Sequence, residues 1–160
     1  MREAGPVTTT TKFPIQLHTI QVTFLLDDVD TNGRATTFET KVPSASSVPL
    51  AHSHDGFDET VYGLEGVLTF RVEGQIHEIS PGDALFIERG QVHSFDNLGT
   101  VDGAFLSVAT PGIFRRAYFV EIAEVLNASA GGPPDRAAIV AVMHRHGLTP
   151  AFPQTASPSA

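Results

Sequence analysis

From Phe13 to about Thr110 the chain is a succession of short β-rich stretches, each cut off by a turn signal. "IQLHTIQVTFLL" is rich in strand formers and ends at the turn "DDVDTNGR". "ATTFETKV" alternates apolar with polar residues, and "GVLTFRV" and "QIHEI" flank Glu73-Gly74, a two-residue hairpin candidate. "SPGD" turns the chain into "ALFIE", "RGQ" turns it into "VHSF", and "DGAFLSVAT" closes the series. Strands this short, at regular spacing and separated by Gly or Pro, point to a β-sandwich or small barrel.

The last third changes period. "GIFRRAYFVEIAEVLN" carries Phe114, Tyr118, Ile122 and Val125 at helical spacing. "PPDRAAIVAVMHRHG" opens on prolines suited to a first turn, carries Ile139, Val142 and Met143 as an apolar stripe, and stops at Gly147, a C-cap candidate. The expected organisation is a disordered tail over residues 1–12, a β-barrel over 13–112, a helical pair packed on it over 113–148, and a flexible tail over 149–160. At 160 residues this is one domain with room for a real core. A net charge of −8 argues against nucleic acid or an anionic membrane as partner. No signal-peptide or membrane-length apolar run is found, so a soluble cytoplasmic protein is expected.

Cysteine is absent, which removes disulfides, thiolate nucleophiles and thiolate metal sites. Any metal must be held by imidazole and carboxylate, donors that suit Fe, Mn, Ni, Cu, Co or Zn. His52 and His54 are one residue apart in a strand candidate, so both project from one face. Taken alone, the pair fits a solvated strand face as well as it fits two ligands. Asp55-Gly56 bends the chain and Glu59 returns on the next extended segment, while "ERGQVHSFDN" offers His93 after a tight glycine turn. Three imidazoles and a carboxylate facing inward can hold a divalent ion and leave positions open for substrate or dioxygen. His144 and His146 share the one-apart spacing but lie in a helix candidate, where such residues diverge by roughly 200° and cannot chelate one ion. They read as a basic helix end, and His18 and His77 as structural or exposed.

"HSHDGFDETVYGLEG" resembles the first motif of the cupin superfamily, with His52, His54, Glu59 and Gly66 on its positions. "GDALFIERGQVHSFDN" resembles the second, with Gly82, Gly90, His93 and Asn97 in place. Ser46 stands where the first motif usually opens with Gly, and Glu88 where the second usually has Pro. Both departures fall at turns and leave the four ligand positions intact. Gly66, Gly82 and Gly90 lie between strand candidates, where positive φ is expected. Asn97 also suits a turn residue that bonds its own backbone.

The resemblance implies an all-β jelly-roll barrel, a double-stranded β-helix followed here by two α-helices, usually a homodimer binding one divalent metal ion. His52, His54, Glu59 and His93 are then its ligands. Val61 and Phe95 follow Glu59 and His93 by two residues and are expected to share their inward faces as pocket walls. The barrel with its helical pair is similar to small bacterial proteins grouped with the quercetinase-like cupins. That likeness implies metal-dependent dioxygenase chemistry on a small aromatic or enolisable substrate, flavonol- or diketone-like, with Glu59 as ligand and base. The alternative is a non-catalytic cupin that uses the metal to orient a bound small molecule. A homodimer is expected, with "FPIQLHTIQVTFLL" long enough to cross to a partner's sheet.

Overall fold

The computed structural model describes residue 9 and residues 12–152, apart from 49 and 130. Its strands form two antiparallel sheets facing each other, an all-β jelly-roll barrel with helices at its C-terminal end. One sheet has six strands in the order β1 (Phe13–Leu17), β2 (Ile20–Leu26), β3 (Thr36–Val42), β10 (Gly103–Thr110), β5 (Asp58–Glu65), β8 (Ala84–Ile87). The other has five, in the order β11 (Leu148–Pro150), β4 (His52–His54), β9 (His93–Asp96), β6 (Leu68–Val72), β7 (Gln75–Ile79). Period-two burial decides which face looks inward: β2 turns in Ile20, Val22 and Phe24, and β3 turns in Thr36, Phe38, Thr40 and Val42. The Glu73-Gly74 hairpin forms as read, both residues taking positive φ between Val72 and Gln75, as a type I′ turn requires.

Three features differ from the sequence expectation. Phe13 to Leu26 is not one long strand but the hairpin β1–β2, turned at His18 and Thr19 and paired within its own sheet. β1 is the edge strand of that sheet, paired on one side by β2. "DDVDTNGR" contains a helical turn, α1 (Asp28–Thr31), closed by a capping box in which the Asp27 and Asp30 carboxylates each accept a backbone N–H of the other's end. Residues expected to begin the final tail instead form β11, which pairs with β4. The N-terminal tail expected over 1–12 lies almost wholly outside the described residues, as does the chain from 153 onward.

The helices are α2 (Arg116–Ala128) and α3 (Arg136–Arg145). α2 buries Tyr118, Phe119, Ile122 and Ala123, while Phe114 packs from the lead-in rather than from the helix itself. Phe119 lies 5.5 Å from Phe24, 5.1 Å from Phe38 and 5.0 Å from Phe114 between ring centroids, so α2 is seated against the mouth of the barrel by aromatic contact. α3 buries the Ile139, Val142 and Met143 stripe. Its N-cap is Asp135, which accepts from the Ala138 N–H, so the prolines stand before the helix rather than in its first turn. Gly147 takes positive φ just past its end, a left-handed position that ends the helix and feeds β11. Among the described residues, no helix is long and apolar enough to cross a membrane.

Candidate metal centre

The site forms where β4 and β9 meet. His52 is paired with His93 across these strands, and His54 follows on the same face. The three imidazoles offer ligand atoms that all lie within 4.8 Å of one another, a group that can hold a metal ion. Their ring centroids are 5.2 Å (52–54), 4.7 Å (52–93) and 4.5 Å (54–93) apart. Local backbone fixes two of the rings. His52 Nδ1 lies 3.0 Å from the Leu50 carbonyl and His93 Nδ1 lies 3.0 Å from the Gln91 carbonyl. With Nδ1–H donating, each Nε2 keeps its lone pair free, the tautomer that metal-bound histidines use.

Glu59 approaches from the opposite sheet, at the start of β5. Its Oε2 is 3.7 Å from His54 Nε2 and 3.6 Å from His93 Nε2. These gaps are too long for hydrogen bonds but near the ~3–3.5 Å between two ligands about 2.1 Å from one ion. His54 supplies the decisive observation for a metal: it is 1% exposed, and neither ring nitrogen has a hydrogen-bond partner. A buried imidazole left this way is costly unless something else takes its lone pair. The donor set, the free Nε2 atoms and the separations all fit a divalent ion.

The electrostatics hold two of the imidazoles neutral beside one carboxylate and draw the third toward that carboxylate. Burial lowers His52 to about 4 and His54 to about 3, so both are uncharged near neutral pH. Burial also works against a charged His93, but the neighbouring Glu59 carboxylate and the Gln91 carbonyl raise it overall. Burial alone would raise Glu59; His93, His54 and the Ser107 hydroxyl outweigh it and hold the carboxyl at about 2. The exposed Arg89 holds the loop before β9 in register. Its N–H and Nε donate to one Asp58 carboxylate oxygen and its Nη2 to the other, while the Gly90 N–H donates to the His54 carbonyl at 2.8 Å. The segments carrying Glu59, His54 and His93 are thereby tied to one another.

A cavity of about 90 Å³ opens from the four side chains into the barrel. Its walls are Phe38, Phe70, Phe95, Phe105, Phe114 and Phe119 with aliphatic neighbours, and Thr40 and Tyr118 bring hydroxyls. Phe95, two residues after His93, is among the residues that line it. Val61 is fully buried and is not among the lining residues. The walls from α2 and its lead-in could not be read from the sequence, because an apolar stripe does not say what it packs against. Asn97 is structural. Its amide donates to the carbonyls of Val42 and Val101, both at 2.9 Å, and its oxygen accepts from Gly99 N–H at 3.0 Å. His18 and His144 are exposed, His77 is half-buried, and His146 Nε2 donates to the Glu121 carboxylate at 3.0 Å and is not part of the histidine cluster.

Comparison with known proteins places these features in a family. Residues 38–109 match the model of the cupin domain. The oxalate-binding protein of Thermotoga maritima is 41% identical over 68 residues, 42% of this chain and 55% of that protein. Quercetin 2,3-dioxygenase of Bacillus subtilis is 30% identical over 86 residues, 54% of this chain but 25% of that enzyme. The chain thus spans between a quarter and about half of these curated relatives. The crystal structure of a protein described as a predicted oxalate decarboxylase, also from Thermotoga maritima, superposes with a TM-score of 0.57 at 30% identity, covering 64% of this chain and 93% of that one. With two facing antiparallel sheets, a matching domain model and three imidazoles converging inside the barrel, this chain belongs to the cupin family.

Proposed function

We propose that the protein is a metal-dependent oxygenase that cleaves a carbon–carbon bond in a small enolisable or phenolic substrate. The observation that carries this reading is the lining of the cavity. Among the described residues its polar side chains are His52, His54, Glu59 and His93 together with Thr40 and Tyr118; the other lining residues are apolar, with no Lys or Arg among them. Oxalate, the ligand named for one relative, would reach a bound ion through both carboxylates, but its two outer oxygens would then face apolar walls with no lining Lys or Arg among the described residues. A diketone or single-ring enediol presents two oxygens on one edge and an apolar remainder, which matches the walls. The cavity is also small beside the roughly 300–1,000 Å³ of drug-sized pockets, which favours the diketone end of that range over a flavonol.

In this reading His52, His54, His93 and Glu59 hold the ion. An ion held there would supply Lewis acidity that lowers the pKa of an enol or phenol hydroxyl of the substrate, and the nearby Glu59 carboxylate is the group placed to accept that proton. Glu59 is ionised near neutral pH and takes the proton on its carboxylate. The Phe38, Phe70 and Phe105 rings keep water from the resulting anion, and Phe114 and Phe119 cover it from the helix side. One molecule of dioxygen breaks the C–C bond and leaves one oxygen atom on each of the two carbons that part, so no further oxidant or reductant is needed.

The test is oxygen consumption by the metal-loaded protein with β-diketones, catechols and flavonols, and oxalate binding measured alongside. Turnover of a diketone or catechol is expected, and Glu59→Gln is expected to lower it by about 10²–10⁴-fold at saturating metal. Oxalate binding with no oxygen uptake on any substrate would instead make the protein a metal-assisted binder.

A further inference from the structure

Ser107 stands on the inner face of the six-stranded sheet, opposite Phe38 of β3 and Val61 of β5. Phe105 and Ala109 flank it along its own strand on that face. It is completely buried and its Oγ has no hydrogen-bond partner. An alanine would fill the same space without burying an unpaired hydroxyl, so the oxygen calls for a partner. Register supplies one: Ala109 lies opposite Glu59, which makes Ser107 and Glu59 diagonal neighbours across β10 and β5. Thr36 and Thr40 are the other polar diagonal neighbours. The Thr36 hydroxyl already donates to the Phe114 carbonyl at 2.7 Å, and Thr40 faces the cavity.

We infer that Ser107 is a positioning residue for Glu59: its hydroxyl, without a partner in the metal-free chain, is placed across the strand pair to donate to the carboxylate and hold Oε2 toward His54 and His93. Ser107 does not line the cavity and does not touch substrate. Its role rests on the proposed metal centre and extends it by one residue. Groups that hold a ligand in this way are typically worth 10–100-fold in metal affinity.

The test uses Co(II) as a spectroscopic probe of the full-length protein. Ser107→Ala is expected to weaken Co(II) binding by about 10-fold in chelator competition. It should also alter the visible d–d bands while leaving the melting temperature of the metal-free protein unchanged or raised. The isosteric pair Ser107→Thr and Ser107→Val guards against a packing effect, since the two differ by the hydroxyl alone; Thr should keep the wild-type bands and Val should not. In a Glu59→Gln background, adding Ser107→Ala should change nothing further. Wild-type-like affinity and bands in both Ser107→Ala and Ser107→Val, or an undiminished Ser107→Ala effect in the Glu59→Gln background, would overturn the inference. A wild-type chain that takes up no Co(II) would overturn the metal centre itself and this inference with it.

Discussion

His54 concentrates the tension between stability and chemistry in one side chain. It is buried, stacked on Phe57 at 4.2 Å, and both of its nitrogens are without partners. Replacing an unpaired polar group by an apolar one of similar size removes a penalty of ~1–3 kcal/mol. His54→Leu should therefore melt at the same or a higher temperature than the metal-free wild type while losing metal; a marked drop in melting temperature would mean that His54 supports the fold in some other way. His52→Ala and His93→Ala should likewise bring metal content to background, whereas His144→Ala, an exposed change on α3, should leave it untouched. Elemental analysis of the purified variants decides both. At this scale much was legible: period two put His52 and His54 on one face, and helical divergence set His144 and His146 aside. Val61 shows the limit. It shares a face with Glu59, as spacing requires, but a face does not say which of its residues border a cavity, and Val61 is fully buried and not among the lining residues.

Two secondary elements act on the site without supplying a ligand. β11 pairs Leu148 with His54, Thr149 with Ser53 and Pro150 with His52, and so covers the outer edge of the strand that carries two of the imidazoles. Leu148 is fully buried, and Leu148→Ala should cost about 2–5 kcal/mol by the usual price of a core cavity. It should also weaken metal binding, because the β4 edge loses its anchored neighbour; unchanged affinity in a destabilised protein would separate the two effects and remove β11 from the account. α2 acts on the other side of the cavity. Phe119→Ala should destabilise by about 3–5 kcal/mol and admit bulkier substrates, read as a shift in preference from diketones toward flavonols. The α2 stripe was visible in the sequence, Phe119 aside. β11 was not, since three residues with a proline among apolar and polar neighbours carry no period, and only pairing with β4 makes them a strand.

In the whole molecule the ligands divide between the two sheets: the imidazoles come from the five-stranded sheet and Glu59 from the six-stranded one. An ion held by all four joins the two halves of the barrel. Divalent metal at about 100 times its dissociation constant should stabilise the fold by about 2.7 kcal/mol, which for a chain of this size raises the melting temperature by about 5–10 °C. Scanning calorimetry with and without a chelator measures this directly, and coincident transitions would contradict a shared ion. The strands and turns were readable one by one from local pattern, but their order in the sheets was not. β3, β10 and β5 are adjacent in space and far apart in sequence, and no local pattern encodes that choice.

The pairing of β11 with β4 also sets an order in time. A chain made from its N-terminus emerges with His52 and His54 long before Leu148 to Pro150 exist. At about 5–20 residues per second the histidine strand waits on the order of 5–20 s for its outer neighbour. During that interval the edge of β4 and its two imidazoles lack the strand that covers them in the finished fold, so an ion taken up then would meet a site whose outer neighbour is still to come.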